Sequence, residues 1–246
     1  MRKGVAVLRL GVLVALTSVC ALAVLAVPRA RARLFRAWSR AVLRLLRVRV
    51  AVEGVPPRGA FALVANHLSY FDVIVLGALV DSVFVAKADV AGWPIVGWLC
   101  ERVQTIFIDR TRKRDLLRVL PILERKLAAG ESVAFFPEGT SSGGESVLRF
   151  RSPLFEAPIR AARPVVCAAL RYETNARDPH ASESVCYWGD MVFAPHVFGL
   201  LGLRGFTATI EFSPETLWED DRKRLAACAH EAIAKRLEKT LERPRR

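Results

Sequence analysis

The residues best suited to acid–base chemistry stand in "NHLSYFD", Asn66 to Asp72, which sets an imidazole and a carboxylate five positions apart. On one continuous helix His67 and Asp72 would lie about 140° apart around the axis and out of reach. With His67 in a loop and the helix starting near Ser69, Asp72 can turn back onto the ring. A carboxylate on one ring nitrogen fixes the tautomer and leaves the other nitrogen to take a proton. That is the equipment of a general base for an alcohol that must become a nucleophile. Taken alone, the same spacing also describes a capping or core histidine.

A second stretch, "FPEGTSSGG" from Phe136 to Gly144, contains Gly139-x-Ser141-x-Gly143. A serine hydrolase's nucleophile elbow has that spacing, and needs a sharp strand-to-helix turn, then an acid and a histidine further along. Asp178 or Asp190 with His180, His196 or His230 are the residues available. Gly143 and Gly144 make a poor start to a helix, and the elbow would leave "NHLSYFD" without a role. The other reading is a loop whose backbone N–H groups hold an oxyanion or an anionic substrate while another residue does the chemistry.

These loops need a scaffold, and the chain alternates to provide one. "RVRVAVEG", "FALVAN", "SVFVAK", "TIFIDR", "ESVAFFPEG", "PVVCAALRY" and "FTATIEF" read as strands; "YFDVIVLGALV", "RDLLRVLPILERKLAAG" and "DDRKRLAACAHEAIAKRLEKTL" read as helices. Pro121 predicts a kink or break in the second helix, and Gly130 its end. Alternation of this kind implies an α/β fold with a mixed, largely parallel sheet flanked by helices. In such folds ligand sites gather where strands end. Asn66-His67, Asp109-Arg110 and Pro137 to Thr140 each follow a predicted strand.

The 246 residues are 52% apolar, with a net charge of +13. Ten Arg and one Lys fall within residues 1–49, which hold no acidic residue, whereas the remainder is nearly balanced. Leu10 to Val27 carries no charge, and its length is near the lower limit for crossing a bilayer. The dense positive run beyond it favours an uncleaved anchor over a signal peptide, with the main domain on the cytoplasmic face; shallow insertion into one leaflet is the alternative. In the run itself Arg33, Arg36, Arg40, Arg44 and Arg47 recur on one helical face, opposite Leu34, Phe35, Trp38, Val42, Leu45 and Leu46. Such a helix suits anionic lipid headgroups, or packs its apolar side on its own domain. Nucleic acid is not expected, because no stacking aromatics interleave the arginines. The expected division is an N-terminal membrane-associated helical segment, 1–49, and an α/β domain, 50–246. Five scattered cysteines without a CxxC pair, and no HExxH, predict neither a disulfide framework nor a bound metal.

"NHLSYFD", "IFIDR", "FPEGTSS" and "RPVV" in that order resemble the four sequence blocks of the PlsC-like glycerolipid acyltransferases, which include 1-acylglycerol-3-phosphate and other lysophospholipid acyltransferases. The likeness covers roughly residues 50–215. It implies His67 as general base with Asp72 as partner, and substrate binding by Arg110 and by Phe136, Pro137, Glu138, Gly139 and Thr140. Pro164 matches a structural position of the fourth block. It further implies an acyl thioester donor, acyl-CoA or acyl carrier protein, with no bound cofactor, and a lysolipid acceptor at a membrane containing anionic lipid. 1-acyl-sn-glycerol-3-phosphate is the expected acceptor. Two departures bear on that. The family's third block often continues with Arg-Ser, where this chain has Ser141, so one cation for a phosphate is missing. The second block has Gln104-Thr105 where a glycine is usual. The Ser-Ser form looks more like relatives acting on ornithine lyso-lipid or lysophosphatidylcholine-type acceptors. A non-catalytic membrane adaptor is the remaining class, and the presence together of His67, Asp72 and Glu138 speaks against it.

Overall fold

Short β-branched and aromatic runs form the sheet at the centre of the molecule, several of them buried along all or most of their length because both faces of the sheet are covered. The computed structural model describes residues 2–93, 95–109 and 111–241. Its seven strands are β1 (Val48–Glu53), β2 (Ala62–Ala65), β3 (Val83–Lys87), β4 (Ile106–Ile108), β5 (Val133–Phe135), β6 (Val165–Thr174) and β7 (Phe206–Leu217). Each coincides with one of the seven runs read from sequence. They form one sheet in the order β1-β7-β6-β2-β5-β3-β4. Neighbours are parallel throughout except β6 and β7, which are antiparallel. The fold is thus the mixed, largely parallel α/β layer structure that the alternation implied.

Helices cover both faces. They are α1 (Lys3–Ala26), α2 (Arg31–Leu45), α3 (Asp72–Leu79), α4 (Val96–Arg102), α5 (Lys113–Ala128), α6 (Glu156–Arg160), α7 (Ala181–Ser184), α8 (Phe193–Leu201) and α9 (Arg222–Leu241). One core joins α1, α2, α3 and α8 to Leu63, Leu170, Phe206 and Ile210; the other joins α5 and α9 to Val64, Val133, Phe135 and Cys167. Successive strand residues enter opposite cores, as the pleat requires.

Three sequence readings meet local chemistry here. α5 runs through Pro121 without a break. Pro121 lies on the exposed face, where the Leu117 carbonyl that loses its donor can turn to water. Gly130, at φ +85°, ends the same helix as expected: its N–H bonds Leu127 and the N–H of Glu131 bonds Lys126, satisfying two terminal carbonyls. The amphipathic helix α2 buries Trp38, Val42 and Leu43 within its own fold, with Phe35 lying over Gly77 of α3. Its apolar face therefore faces protein, while Arg33, Arg40 and Arg44 remain exposed.

The apolar helix α1 is long enough to cross a membrane. It lies along the α/β unit, burying Ala6, Thr17, Cys20, Ala21 and Val24. Arg9 is 6% exposed and donates to the Leu201 and Leu203 carbonyls at 2.9 and 2.7 Å, tying α1 to the end of α8. Val7, Leu8, Leu10, Val19, Leu22 and Leu25 face outward.

Candidate active site

Because β2, β4 and β5 all point the same way, the three loops that follow them open on one edge of the sheet. Asn66 begins the first. Its side-chain amide donates to the Leu170 carbonyl at 3.0 Å and accepts from the Leu170 N–H at 2.7 Å. This pair imitates a sheet ladder just past the end of β2 and holds the loop against β6.

His67 follows, and its backbone is fixed at both ends. The N–H donates to Glu138 Oε1 at 2.7 Å, and the carbonyl accepts from Ser142 N–H at 2.9 Å. Its ring lies on Phe136, centroids 4.2 Å apart and 15° from parallel. Nδ1 is 2.7 Å from Asp72 Oδ2. Asp72 is the first residue of α3 and is fully buried. The same Oδ2 accepts the N–H groups of Leu68 at 2.8 Å and Ser69 at 3.0 Å, while Oδ1 accepts the Tyr172 hydroxyl at 2.7 Å. Burial and the neighbouring Asp72 push the Tyr172 phenol well above its ordinary pKa, so it stays a donor. With its carboxylate surrounded by donors, Asp72 places the ring proton on Nδ1. Nε2 is left as an acceptor with no hydrogen-bond partner among the described residues.

The loop after β5 closes round this pair. Phe136 and Pro137 are buried, Gly139 is half-buried and Thr140 is exposed. Gly139 has φ +75°, a conformation that side-chain-bearing residues rarely adopt, so the backbone calls for glycine. Glu138 is 3% exposed. Its second oxygen accepts the Leu148 N–H at 3.1 Å, so both oxygens bind backbone and the side chain acts as a tie between loops.

Desolvation pushes the Glu138 carboxyl up to about 7, against the opposing pull of the His67 and Leu148 N–H groups, and Asp72 adds to the rise. The native state therefore holds this proton more tightly than the unfolded chain. The resulting stabilisation is fully present below the ordinary value of 4.5 and is lost as pH rises through about 7. The Tm of the protein minus that of Glu138→Gln should accordingly fall between pH 4.5 and 7.5; a difference flat across that range would contradict the assignment.

Asp109 follows β4, paired with Thr111 and at 3.1 Å with Arg112. Arg110 lies outside the described residues. Ser141 does not sit in a nucleophile elbow. No helix follows it before Pro153, and its hydroxyl donates to the Tyr187 carbonyl. The histidines that a triad would need are engaged elsewhere: His180 with Ser182, His196 with Tyr70 and the Cys186 carbonyl, His230 with the Val147 carbonyl. The structure thus brings together His67, Asp72, Phe136, Pro137 and Glu138, which lie in two blocks about seventy residues apart. Sequence reasoning missed Asn66 and Tyr172. Asn66 was in view beside His67, but nothing local marks Tyr172, which reaches Asp72 across one hundred positions.

A family model described as Acyltransferase matches residues 47–171. The chain is similar to the "Lyso-ornithine lipid O-acyltransferase" of Pseudomonas aeruginosa, at 34% identity over 82% of this chain and 78% of that one. A protein of the same name from Rhizobium meliloti is 32% identical over 72% of this chain, and the match spans 64% of its length. Among solved structures, "Crystal Structure of the 1-acyl-sn-glycerophosphate (LPA) acyltransferase, PlsC, from Thermotoga maritima" superposes with a TM-score of 0.68 at 19% identity, covering 89% of this chain and 83% of that one. At that identity the likeness speaks for the fold.

Proposed function

Since the chain belongs to the Acyltransferase family, we propose that it moves an acyl group from a thioester, acyl-CoA or acyl carrier protein, to the free hydroxyl of a lysolipid. The observation that carries this reading is the 2.7 Å contact between His67 Nδ1 and Asp72, which leaves Nε2 as the acceptor. Nε2 takes the hydroxyl proton as the oxygen attacks the thioester carbonyl. The tetrahedral oxyanion is held in the Gly139–Thr140 turn by the backbone N–H of Thr140, since that of Gly139 donates to the Phe136 carbonyl at 3.3 Å. Collapse breaks the C–S bond, and the thiolate leaves with the proton held on Nε2. Phe136 and Asp72 orient the ring, Pro137 and Glu138 hold the turn, and Arg110 holds the acceptor's anionic group.

For the acceptor we favour a lysolipid of the ornithine type. Ser141 stands where a phosphate-binding arginine is usual, and its hydroxyl is spent on the Tyr187 carbonyl. The relatives at 32–34% identity carry that acceptor in their names. 1-acyl-sn-glycerol-3-phosphate is the second reading, favoured by the complete Phe136–Thr140 block. The outward apolar face of α1, with Arg33, Arg40 and Arg44 of α2 exposed beyond it, supports residence on a membrane with anionic lipid, the α/β domain on the cytoplasmic face. Because α1 lies along the domain, insertion into one leaflet is favoured over a crossing.

The test is an acyl-transfer assay against a panel of lysolipids. Ornithine lyso-lipid should give the highest kcat/KM, and Ser141→Ala should keep it within about twofold, since the hydroxyl contributes one ordinary hydrogen bond. Loss of transfer in Ser141→Ala, or a covalent fluorophosphonate adduct on Ser141, would restore the hydrolase reading.

A further inference from the structure

A cleft of about 600 Å³ opens beside the site and has no part in the mechanism above. It lies where β6 ends and β7 and β1 begin. Since β6 runs parallel to β2, and β7 and β1 run opposite to β6, this is the same sheet edge on which His67 stands. Arg49, Thr207 and Glu173 occupy one row across the three strands. Arg47 and Arg204 complete the rim. All three arginines are exposed. Arg47 and Arg49 have no ion-pair partner among the described residues, and Arg204 meets Asp178 only at 4.0 Å.

The inner wall is shared with the catalytic pair. Leu68, whose N–H binds Asp72, lines the cleft together with Gly143, Gly144 and Tyr172. The apolar residues of the lining are buried: Leu68 is 1% exposed, Phe206 5% and Tyr172 6%. The cleft therefore presents guanidinium groups at its rim, with Glu145 and the Arg171–Glu173 pair also in its lining.

We propose that this cleft holds the phosphate-bearing end of the acyl donor, the phosphoester at the head of a 4′-phosphopantetheine arm, on Arg47, Arg49 and Arg204. The inference rests on the thioester chemistry proposed above. Both kinds of donor carry the acyl group on such an arm, with the sulfur at one end and a phosphate at the other. Transfer at His67 puts the sulfur end at the ring, so the phosphate must find cations an arm's length away on the same edge. Arginine is the side chain that binds phosphate oxygens in pairs.

The experiment uses the full chain in detergent, with Arg49→Glu and Arg49→Lys. Arg49→Glu should raise the donor KM about tenfold, the loss of one charge-assisted hydrogen bond, while kcat and the acceptor KM stay put. Arg49→Lys should recover most of the loss. Added salt should raise the donor KM of the unaltered protein more than that of Arg49→Glu. Calorimetric titration with CoA should show the same weakening without any turnover. Competition by adenosine 3′,5′-bisphosphate would identify the source as CoA; competition by holo acyl carrier protein alone would identify the carrier's arm. If Arg49→Glu fails to fold, Arg204→Gln makes the same test from the β7 side. A donor KM unmoved in these variants, or a rise in the acceptor KM instead, would overturn the assignment. CoA binding lost in Arg49→Glu, with no acyl transfer by the unaltered protein, would leave the cleft assigned and sink the proposed reaction. Transfer with an unmoved donor KM would do the reverse.

Discussion

His67→Ala should fold as the parent does and lose acyl transfer by about 10³-fold in kcat, the middle of the range for removing a positioned general base. The separation of these two outcomes follows from how His67 is held. Its structural bonds, N–H to Glu138 and carbonyl to Ser142, are made by the backbone and survive the substitution. The ring contributes its stack on Phe136, worth about 1 kcal/mol, and one of the four donors around Asp72. A loss of a few degrees in Tm is therefore the most to expect from this substitution. Donor and acceptor KM should change little, because Nε2 acts on the proton in flight. A variant that keeps a tenth or more of the parent's kcat would remove His67 from the mechanism, and with it the reaction proposed here.

Asp72→Asn should fail in both respects. The carboxylate takes the N–H groups of Leu68 and Ser69, the His67 ring and the Tyr172 hydroxyl in full burial. An amide of the same shape keeps one accepting oxygen for Leu68, Ser69 and the ring, and its N–H₂ then donates to the Tyr172 hydroxyl, whose own proton loses its acceptor. Three charge-assisted hydrogen bonds become neutral ones and a buried hydroxyl proton goes unmatched, a cost of about 3 kcal/mol. For a chain of this size that is about 10 °C in Tm. A neutral amide oxygen shared among three donors also holds the Nδ1 proton, and the imidazolium formed in the reaction, less firmly than the carboxylate does, so Nε2 becomes a weaker base. Loss of about 10²- to 10³-fold in kcat should follow. Tyr172→Phe, which removes a single donor, should show a smaller version of the stability effect and most of the parent's rate. An Asp72→Asn protein as stable and as active as the parent would mean that the four contacts do not act as a unit.

These two variants also separate what was legible in the chain from what was not. The seven strands were readable because a largely parallel sheet covered on both faces writes itself into sequence as short, near-continuous apolar runs, and every run needed only its own residues to declare itself. α3, α5 and α9 were readable for the same local reason, and Gly130 marked the end of α5. α4, α6 and α8 escaped because Gly97, Pro158, Pro195 and Gly199 interrupt their pattern. Pro121, which predicts a kink or a break, does not break α5, because the Leu117 carbonyl that loses its donor lies on the exposed face. The side on which a missing donor falls is a property of packing.

The chemistry divides in the same way. Spacing alone offered His67 and Asp72 as a pair on the condition that the helix begin after the histidine, and α3 does begin at Asp72. The chain could not state whether the letters of Gly139-x-Ser141-x-Gly143 make a nucleophile or a loop, because the answer is a hydrogen bond to Tyr187, forty-six positions away. Nor could it say that the apolar face of α2 would turn inward onto α3, or that Glu138 would tie its own loop to the backbone of His67. Local pattern sets which elements form and which side chains stand at their ends. Which donors surround a buried carboxylate depends on strands that meet only when the sheet closes, so Tyr172, the Leu170 partner of Asn66 and the cleft rimmed by Arg47, Arg49 and Arg204 belong to the tertiary structure alone.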